Sequence, residues 1–102
     1  MTDKKKEQKI NIELDEKTSE GIYSNLVIIN HSISEFVVDF INIMPGSPKA
    51  KVKSRIVLTP EHAKRFKKAL SDNISRFEKS NGEIKTNNAP PVPINFGTQG
   101  EA

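Results

Sequence analysis

The side chains that come closest to a nucleophilic catalytic site lie together in one short segment. His31 is followed by Ser32, Ser34 and Glu35, and an imidazole beside a serine hydroxyl is the arrangement that activates serine as a nucleophile. Serines in a short polar connection, however, usually bond through their hydroxyls to the local backbone. We therefore interpret this segment as a hairpin turn rather than a catalytic site.

Other catalytic or ligand-binding chemistry lacks the residues that it requires. The sequence has no cysteine, and His62 is the only other histidine, so thiolate ligands are excluded and no set of metal donors can be identified. It contains no glycine-rich phosphate loop and no histidine pair at the spacing of a zinc peptidase. The sequence predicts a protein that is not an enzyme, with no catalytic residues, no cofactor, no metal site and no evident small-molecule substrate.

One acidic residue interrupts an otherwise apolar run. Asp39 stands between Val38 and Phe40, and a buried carboxylate requires a partner that carries positive charge. A lysine or arginine of the last predicted strand can supply that charge. We expect Asp39 to form a structural ion pair or to mark a sheet edge, and not to act as an acid catalyst.

These residues are positioned by a predicted α+β fold, in which a four-stranded antiparallel β-meander precedes one C-terminal amphipathic α-helix. Alternating or β-branched residues predict strands at 9–14, 22–30, 35–43 and 51–58, with a polar turn at 15–21. The connections are too short for parallel crossovers, so we expect neighbouring strands to be antiparallel.

The helix has sequence signals at both ends. Thr59 is a favourable N-cap, Pro60 suits the first helical position, and Gly82 is expected to end the helix. Between these ends, apolar residues recur every three or four positions and form one stripe. The stripe consists of Ala63, Phe66, Leu70, Ile74 and Phe77.

The predicted fold is a single domain, residues 9–82, in a chain of 102 residues. We expect residues 1–8 to be a disordered basic tail and residues 83–102 to be a disordered Pro-rich tail, because both are too polar to offset the entropy cost of ordering. The sequence shows neither a secretory signal nor an apolar run of membrane-spanning length. We therefore expect a cytoplasmic protein that does not bind a membrane.

The predicted sheet has two apolar faces but only one helix to cover them. In the second predicted strand, Leu26 and Ile28 alternate with Val27 and Ile29, so both sides of that strand are apolar. Monomers rarely expose an apolar patch larger than roughly several hundred Å². The sequence therefore predicts a homodimer, or a stable complex with another protein, that covers the second face. The alternative is that the N-terminal strand or tail of the same chain folds over it.

Charge is distributed unevenly along the chain. Residues 10–44 carry a net charge of −5 and residues 45–80 a net charge of +7. The basic half predicts a partner-binding stripe on the last strand and the helix, and phosphates are one class of ligand that such a stripe neutralises. Edge lysines also protect sheets from aggregation without any ligand. The predicted stripe comprises Lys51, Lys53, Arg55, Lys64, Arg65, Lys67, Lys68 and Arg76.

The segments described above resemble a small uncharacterised bacterial family, domain of unknown function 3467. The matching blocks are GIYSN at 21–25, NHSISEFVVDF at 30–40, MPG at 44–46, KAKVKSR at 49–55 and TPEHAKR at 59–65. Together they place the resemblance within residues 21–83, and it carries over no catalytic residue. It also implies a gene beside those of the large RNA polymerase subunits, and hence a partner in the transcription machinery.

We therefore expect a non-enzymatic protein–protein interaction module, an accessory protein associated with bacterial RNA polymerase. The alternative is a dimeric nucleic-acid-binding protein that uses the Lys/Arg stripe. A third hypothesis, a chaperone-like module that offers its sheet to unfolded proteins, predicts binding to many unrelated partners.

Overall fold

The computed structural model describes residues 9–86 as a three-stranded antiparallel sheet with two helices. The elements follow the chain in the order α1 (Glu16–Ser19), β1 (Leu26–His31), β2 (Phe36–Asn42), β3 (Lys51–Leu58) and α2 (Pro60–Asn81). The predicted α+β class, with antiparallel strands before one long C-terminal helix, is confirmed. The predicted tail at 1–8, and the predicted Pro-rich tail beyond residue 86, lie outside the described residues.

The first of the four predicted strands is not a strand in the structure. Residues 9–14 have no regular secondary structure, and Ile10, Ile12 and Leu14 are strongly exposed. Alternation shows only that a segment is able to pair, and no described strand lies next to it. The predicted polar turn at 15–21 instead contains the short helix α1, because the Asp15 side chain caps it by accepting a hydrogen bond from the Thr18 N–H at 2.7 Å.

β2 is the central strand of the sheet, with β1 on one side and β3 on the other. β1 and β2 pair in unbroken register. In the β2–β3 ladder, Phe40 lies opposite Ser54 but the next residue, Ile41, lies opposite Val52. Lys53 is therefore an extra residue that forms a β-bulge in β3.

The connection between β1 and β2 is a tight turn built by a serine. The Ser32 N–H donates to the Glu35 carbonyl at 2.9 Å. Its hydroxyl accepts from the backbone N–H groups of Ser34 and Glu35 at 3.2 and 3.3 Å. The predicted hairpin turn is confirmed, and these bonds show the serine hydroxyl engaged with the backbone, as such turns require.

The start of β1 is fixed by two side chains that the sequence reasoning did not single out. The Asn25 amide both donates to the Ile43 carbonyl at 2.9 Å and accepts from the Ile43 N–H at 2.8 Å, so it extends the ladder beyond the last backbone pair. The Ser24 hydroxyl donates to the Ile41 carbonyl at 2.9 Å. Both bonds attach the chain before β1 to the end of β2.

α2 begins and ends as the sequence predicts. The Thr59 hydroxyl accepts a hydrogen bond from the His62 N–H at 3.1 Å, Pro60 occupies the first turn, and Gly82 ends the helix with a φ of 94° that favours glycine. The helix has 22 residues and is therefore about 33 Å long. Strands of six to eight residues extend only about 20–27 Å, so α2 is longer than the sheet.

The sheet has two faces, which we name after what lies on them. The α2 face carries Val27, Ile29, Val38, Phe40, Ile56 and Leu58, and the Asp39 face carries Leu26, Ile28, Val37, Asp39, Ile41 and Arg55, according to the pairing register and the pleat. Both faces are largely apolar, as predicted; besides the Asp39–Arg55 pair, polar residues such as Ser54 on the α2 face and Asn30 on the Asp39 face interrupt them. Among the residues that the structure describes, only Val38, Asp39 and Ile41 are fully buried.

Alternation in the last predicted strand places Lys51, Lys53 and Arg55 on one side, but the bulge separates them in the structure. Arg55 lies opposite Asp39, whereas Lys51 lies opposite Asn42. Asp39 and Asn42 are three positions apart in a regular strand and therefore lie on different faces. No residue pattern in β3 signals the bulge, which is visible only in the pairing register.

Candidate interaction surface

The apolar stripe of α2 lies above the α2 face without being buried there. Its four large residues remain 40–51% exposed: Phe66, Leu70, Ile74 and Phe77. On the sheet below, Ile29 and Ile56 are also about half exposed. A helix in a folded domain normally buries such a stripe against its core, so this packing is incomplete in a single chain.

A small apolar pocket opens where the first turns of α2 cross the sheet. It has a volume of about 160 Å³, and its walls are Val38, Phe40, Ile56, Leu58, His62 and Phe66. An apolar space of roughly this size accommodates one large apolar side chain. We call it the inner pocket.

A longer groove continues along α2 beyond the inner pocket. Phe66, Leu70 and Ile74 line it from the helix, and Ile29 of β1 is the one sheet residue among its walls. We call it the outer groove. The helix side of the groove also carries Lys67, Ser71, Ser75 and Glu78. Because Ile29 is the one sheet side chain that faces this length of helix, the helix extends past the part of the sheet that would support its apolar residues.

A buried ion pair lies at the centre of the other face. Arg55 donates from Nε and Nη2 to the two carboxylate oxygens of Asp39, at 2.7 and 2.8 Å. These hydrogen bonds hold the pKa of Asp39 below its usual value although desolvation opposes them, and the carboxylate raises the pKa of Arg55. The Asp39 side chain is fully buried while that of Arg55 is 57% exposed, so the guanidinium covers the carboxylate. The predicted structural ion pair is confirmed.

The basic residues predicted to form one binding stripe are divided between different surroundings. Lys51 and Lys53 border a shallow depression with Asn42 and Met44 at the end of the sheet. Arg55 is engaged with Asp39 on the opposite face. The β3 part of the predicted stripe is therefore not one continuous surface.

On α2, the remaining basic residues of the predicted stripe are exposed. Three of them have polar partners on the same helix: Arg65 binds Glu61 at 2.8 Å, Lys68 binds Asp72 at 3.5 Å, and Arg76 donates to Asn73 at 3.0 Å. No side-chain partner is found within the described part of the chain for Lys64 and Lys67. That any of these residues binds a partner stays a prediction.

Both histidines have aromatic or apolar neighbours. His31 stacks on Phe36, with ring centroids 5.1 Å apart and ring planes at 26°, and His62 forms part of the inner pocket wall. Within residues 9–86 no group of three or more side chains is arranged to hold a metal ion. None of the helices in that range has the length and apolarity required to cross a bilayer.

Comparison with known protein families identifies a matching family model. The family model described as Protein of unknown function (DUF3467) matches residues 1–86, most of the chain. The chain belongs to the DUF3467 family. Searches of curated proteins and of solved structures each found no match to it.

The DUF3467 match is wider than the resemblance over residues 21–83 indicated. It includes residues 9–14 and α1, and it ends at residue 86, after the end of α2. Several residues of the DUF3467 blocks have structural roles here: Asn25 anchors β1, Ser32 builds the hairpin turn and Thr59 caps α2. None of these three side chains lines the inner pocket or the outer groove.

Proposed function

We propose that this DUF3467 chain is a non-enzymatic protein–protein interaction module that forms a homodimer and docks a further protein through its α2 face. The supporting observation is that the four large apolar residues of the α2 stripe remain 40–51% exposed above a sheet face that is itself apolar. A partner that covers this face completes the burial that one chain leaves unfinished.

The free energy that the exposed apolar stripe of α2 would gain on burial favours a stable complex over a transient one. A fully buried large apolar side chain contributes about 1.5–3 kcal/mol, so four residues at half exposure leave roughly 3–6 kcal/mol unrealised. Small domains have a total stability of only about 5–15 kcal/mol. Covering the stripe would therefore change the stability of the folded chain substantially.

The inner pocket supplies a plausible anchor point for the further protein. Interfaces concentrate their binding energy in a few large side chains that fill desolvated pockets, and this pocket has the volume for one such side chain. Lys64 and Lys67 are exposed on the neighbouring turns of α2. The partner segment that fits this surface has an apolar anchor residue flanked by acidic side chains.

For the partner we propose subunits of bacterial RNA polymerase, in the cytoplasm. The support for this choice is the gene position that the family resemblance implies. The inner pocket and the exposed lysines of α2 define only the chemistry of the docking segment, which is an apolar residue with acidic neighbours. A segment of a polymerase subunit can have that chemistry.

Affinity purification of the tagged full-length chain, followed by mass spectrometry, tests this proposal. We expect RNA polymerase subunits to be recovered with the native chain and lost with Ile56→Asp, which places a charge in a wall of the inner pocket that the outer groove does not share. Lys79→Asp, at an exposed position of α2 outside both the pocket and the groove, is the control for charge alone, and circular dichroism checks that both variants fold. Recovery without polymerase subunits would remove the transcription role, and promiscuous recovery of unrelated proteins would indicate a chaperone-like module instead.

The second candidate function is a dimeric nucleic-acid-binding protein. The observation that favours it is the exposure of Lys64, Lys67 and Lys68 on successive turns of one helix, since such cations can neutralise phosphates. Salt separates the two functions: phosphate contacts weaken steeply as salt concentration rises, whereas apolar docking does not. Filter binding at low salt with no retained DNA or RNA would exclude this alternative.

A further inference from the structure

The outer edge of β1 is unprotected. Its sequence, LVIINH, contains no lysine, arginine, carboxylate or proline, and its pairing with β2 has no bulge. Native proteins normally guard an open edge with such features, because an open edge is a template for another strand. Within residues 9–86, no strand lies beyond β1.

The alternation of hydrogen-bonded pairs along β1 shows which of its backbone groups are free to bond to a further strand. Ser32 donates its N–H to the Glu35 carbonyl, and in an antiparallel ladder the bonded pairs recur at every second residue. Asn30, Ile28 and Leu26 therefore bond to β2. The N–H and C=O groups of Val27 and Ile29 point to the open edge.

α2 adds a second, independent observation at the same edge. The outer groove is lined by Phe66, Leu70 and Ile74 from the helix but by Ile29 alone from the sheet. Because Ile29 belongs to the edge strand, the apolar stripe of the helix continues where the sheet ends. The surface that is missing beneath α2 would be supplied by a further strand beside β1.

We propose that β1 pairs antiparallel with β1 of a second copy, forming a continuous six-stranded sheet about a twofold axis. The axis is perpendicular to the sheet near Ile28 and Ile29, so the α2 faces of both copies lie on the same side. Each overhanging α2 then covers β1 of the other copy. This inference rests on the homodimer of the proposed function and specifies its interface.

The exposed apolar residues supply about half of a standard dimer interface, which buries about 800 Å² per partner. Val27, Ile29, Leu70, Ile74 and Phe77 are all 40–56% exposed, which amounts to roughly 400–500 Å² if a large side chain has about 150–250 Å² of surface. The backbone edge of the six-residue strand adds to this area. The second copy also brings its own unguarded β1, so each edge protects the other.

The test compares proline at matched positions on the two open edges of the full-length chain. Ile29→Pro removes an outward N–H from β1, and Val57→Pro removes an outward N–H from β3. Neither N–H bonds to β2, so an edge strand tolerates both changes better than a central one. Sedimentation velocity measures the mass of each variant, and far-UV circular dichroism measures its fold.

We expect the native chain and Val57→Pro to be dimers and Ile29→Pro to be a folded monomer. Two dimeric variants would overturn the β1 interface while leaving the proposed homodimer in place. A native chain that is monomeric at every concentration would overturn the homodimer as well, whereas the pull-down decides separately on the further protein partner.

Cysteine cross-linking decides the matter if Ile29→Pro does not fold. The natural chain has no cysteine, so a single introduced thiol can bond only to its equivalent in another copy. Residues close to a twofold axis bring their Cβ atoms within the distance of about 4 Å that a disulfide needs. We expect Ile28→Cys or Ile29→Cys to cross-link under mild oxidation and Val57→Cys to stay reduced, and the absence of cross-linking at both β1 positions would overturn the proposal.

Discussion

The two open edges of the sheet are built in opposite ways. β3 carries Lys51, Lys53 and Arg55 along its length, and the bulge at Lys53 interrupts its regular pairing. β1 is regular and uncharged. Charge and a bulge keep an edge in solvent, while a flat apolar edge invites another strand.

The two edges differ in protection and not in apolar exposure, since Ile56 and Val57 of β3 are about as exposed as Val27 and Ile29 of β1. On the β3 side, Arg55 neutralises Asp39 and the lysines discourage further pairing. On the β1 side, Ile29 faces the stripe of α2 across a groove that no further described strand fills.

Arg55→Met should cause the largest loss of stability, because it leaves the fully buried carboxylate of Asp39 without its partner. The loss depends on pH. The pKa of Asp39 is lower in the folded chain than in the unfolded one, so the pair stabilises the fold above about pH 4 and this contribution is lost as pH falls through the folded-state pKa. Urea unfolding at pH 7 and pH 3 measures it: the deficit of the variant should shrink in acid, and an equal deficit at both pH values would contradict the ion-pair account.

Asn25→Ala should loosen the start of β1. The variant loses two hydrogen bonds to the Ile43 backbone, each with a net contribution of about 1 kcal/mol, so we expect a loss of about 1–3 kcal/mol in the free energy of unfolding. Asn11→Ala, which removes an exposed amide from a segment without regular secondary structure, is the control and should change stability by less than about 0.5 kcal/mol. Equal losses in the two variants would show that Asn25 does not anchor the strand.

Ile74→Ala should weaken the dimer as well as the fold. Ile74 is 40% exposed in one chain, so its truncation removes part of the burial within that chain and also shortens the overhang that covers the other copy. We expect about a tenfold higher dimer dissociation constant, equivalent to about 1.4 kcal/mol. Sedimentation equilibrium measures the constant, with Lys64→Ala as the control on the exposed side of α2, and an unchanged constant for Ile74→Ala would argue against the overhang.

Lys53→Thr should have the smallest effect on stability, within about 0.5 kcal/mol, because Lys53 is the unpaired bulge residue. The substitution does remove one of the charges that discourage a further strand from pairing with the β3 edge. We therefore expect slow aggregation that grows with protein concentration, measured by light scattering. Equal scattering from the native chain and the variant would indicate that the bulge alone protects β3.

Much of the fold could be predicted because local chemistry determines it. Thr59, Pro60 and Gly82 fix the ends of α2 by capping and by backbone preference, and the predicted bounds of β3 agree with the structure. The Asp39 ion pair was also predictable, since a carboxylate within an apolar strand has few alternatives. These features depend on neighbouring residues or on one unavoidable partner.

The features that could not be predicted depend on how the strands pair with one another. The alternation of Ile10, Ile12 and Leu14 indicates a strand, but a strand requires an edge to join, and periodicity carries no information on that edge. The bulge at Lys53 is likewise a property of register. The incomplete cover of the α2 stripe was not predicted, because the spacing of its residues does not reveal how much sheet lies beneath it.

The most direct measurement of the central claim is amide hydrogen exchange on the native chain at high and low protein concentration. Val27 and Ile29 report on the β1 edge, and Arg55 and Val57, whose N–H groups point outward from β3, serve as the internal control. We expect slow exchange at Val27 and Ile29 that becomes fast on dilution, with fast exchange at Arg55 and Val57 throughout. Exchange at Val27 and Ile29 as fast as at the β3 edge, or protection that does not change on dilution, would contradict pairing with a second copy.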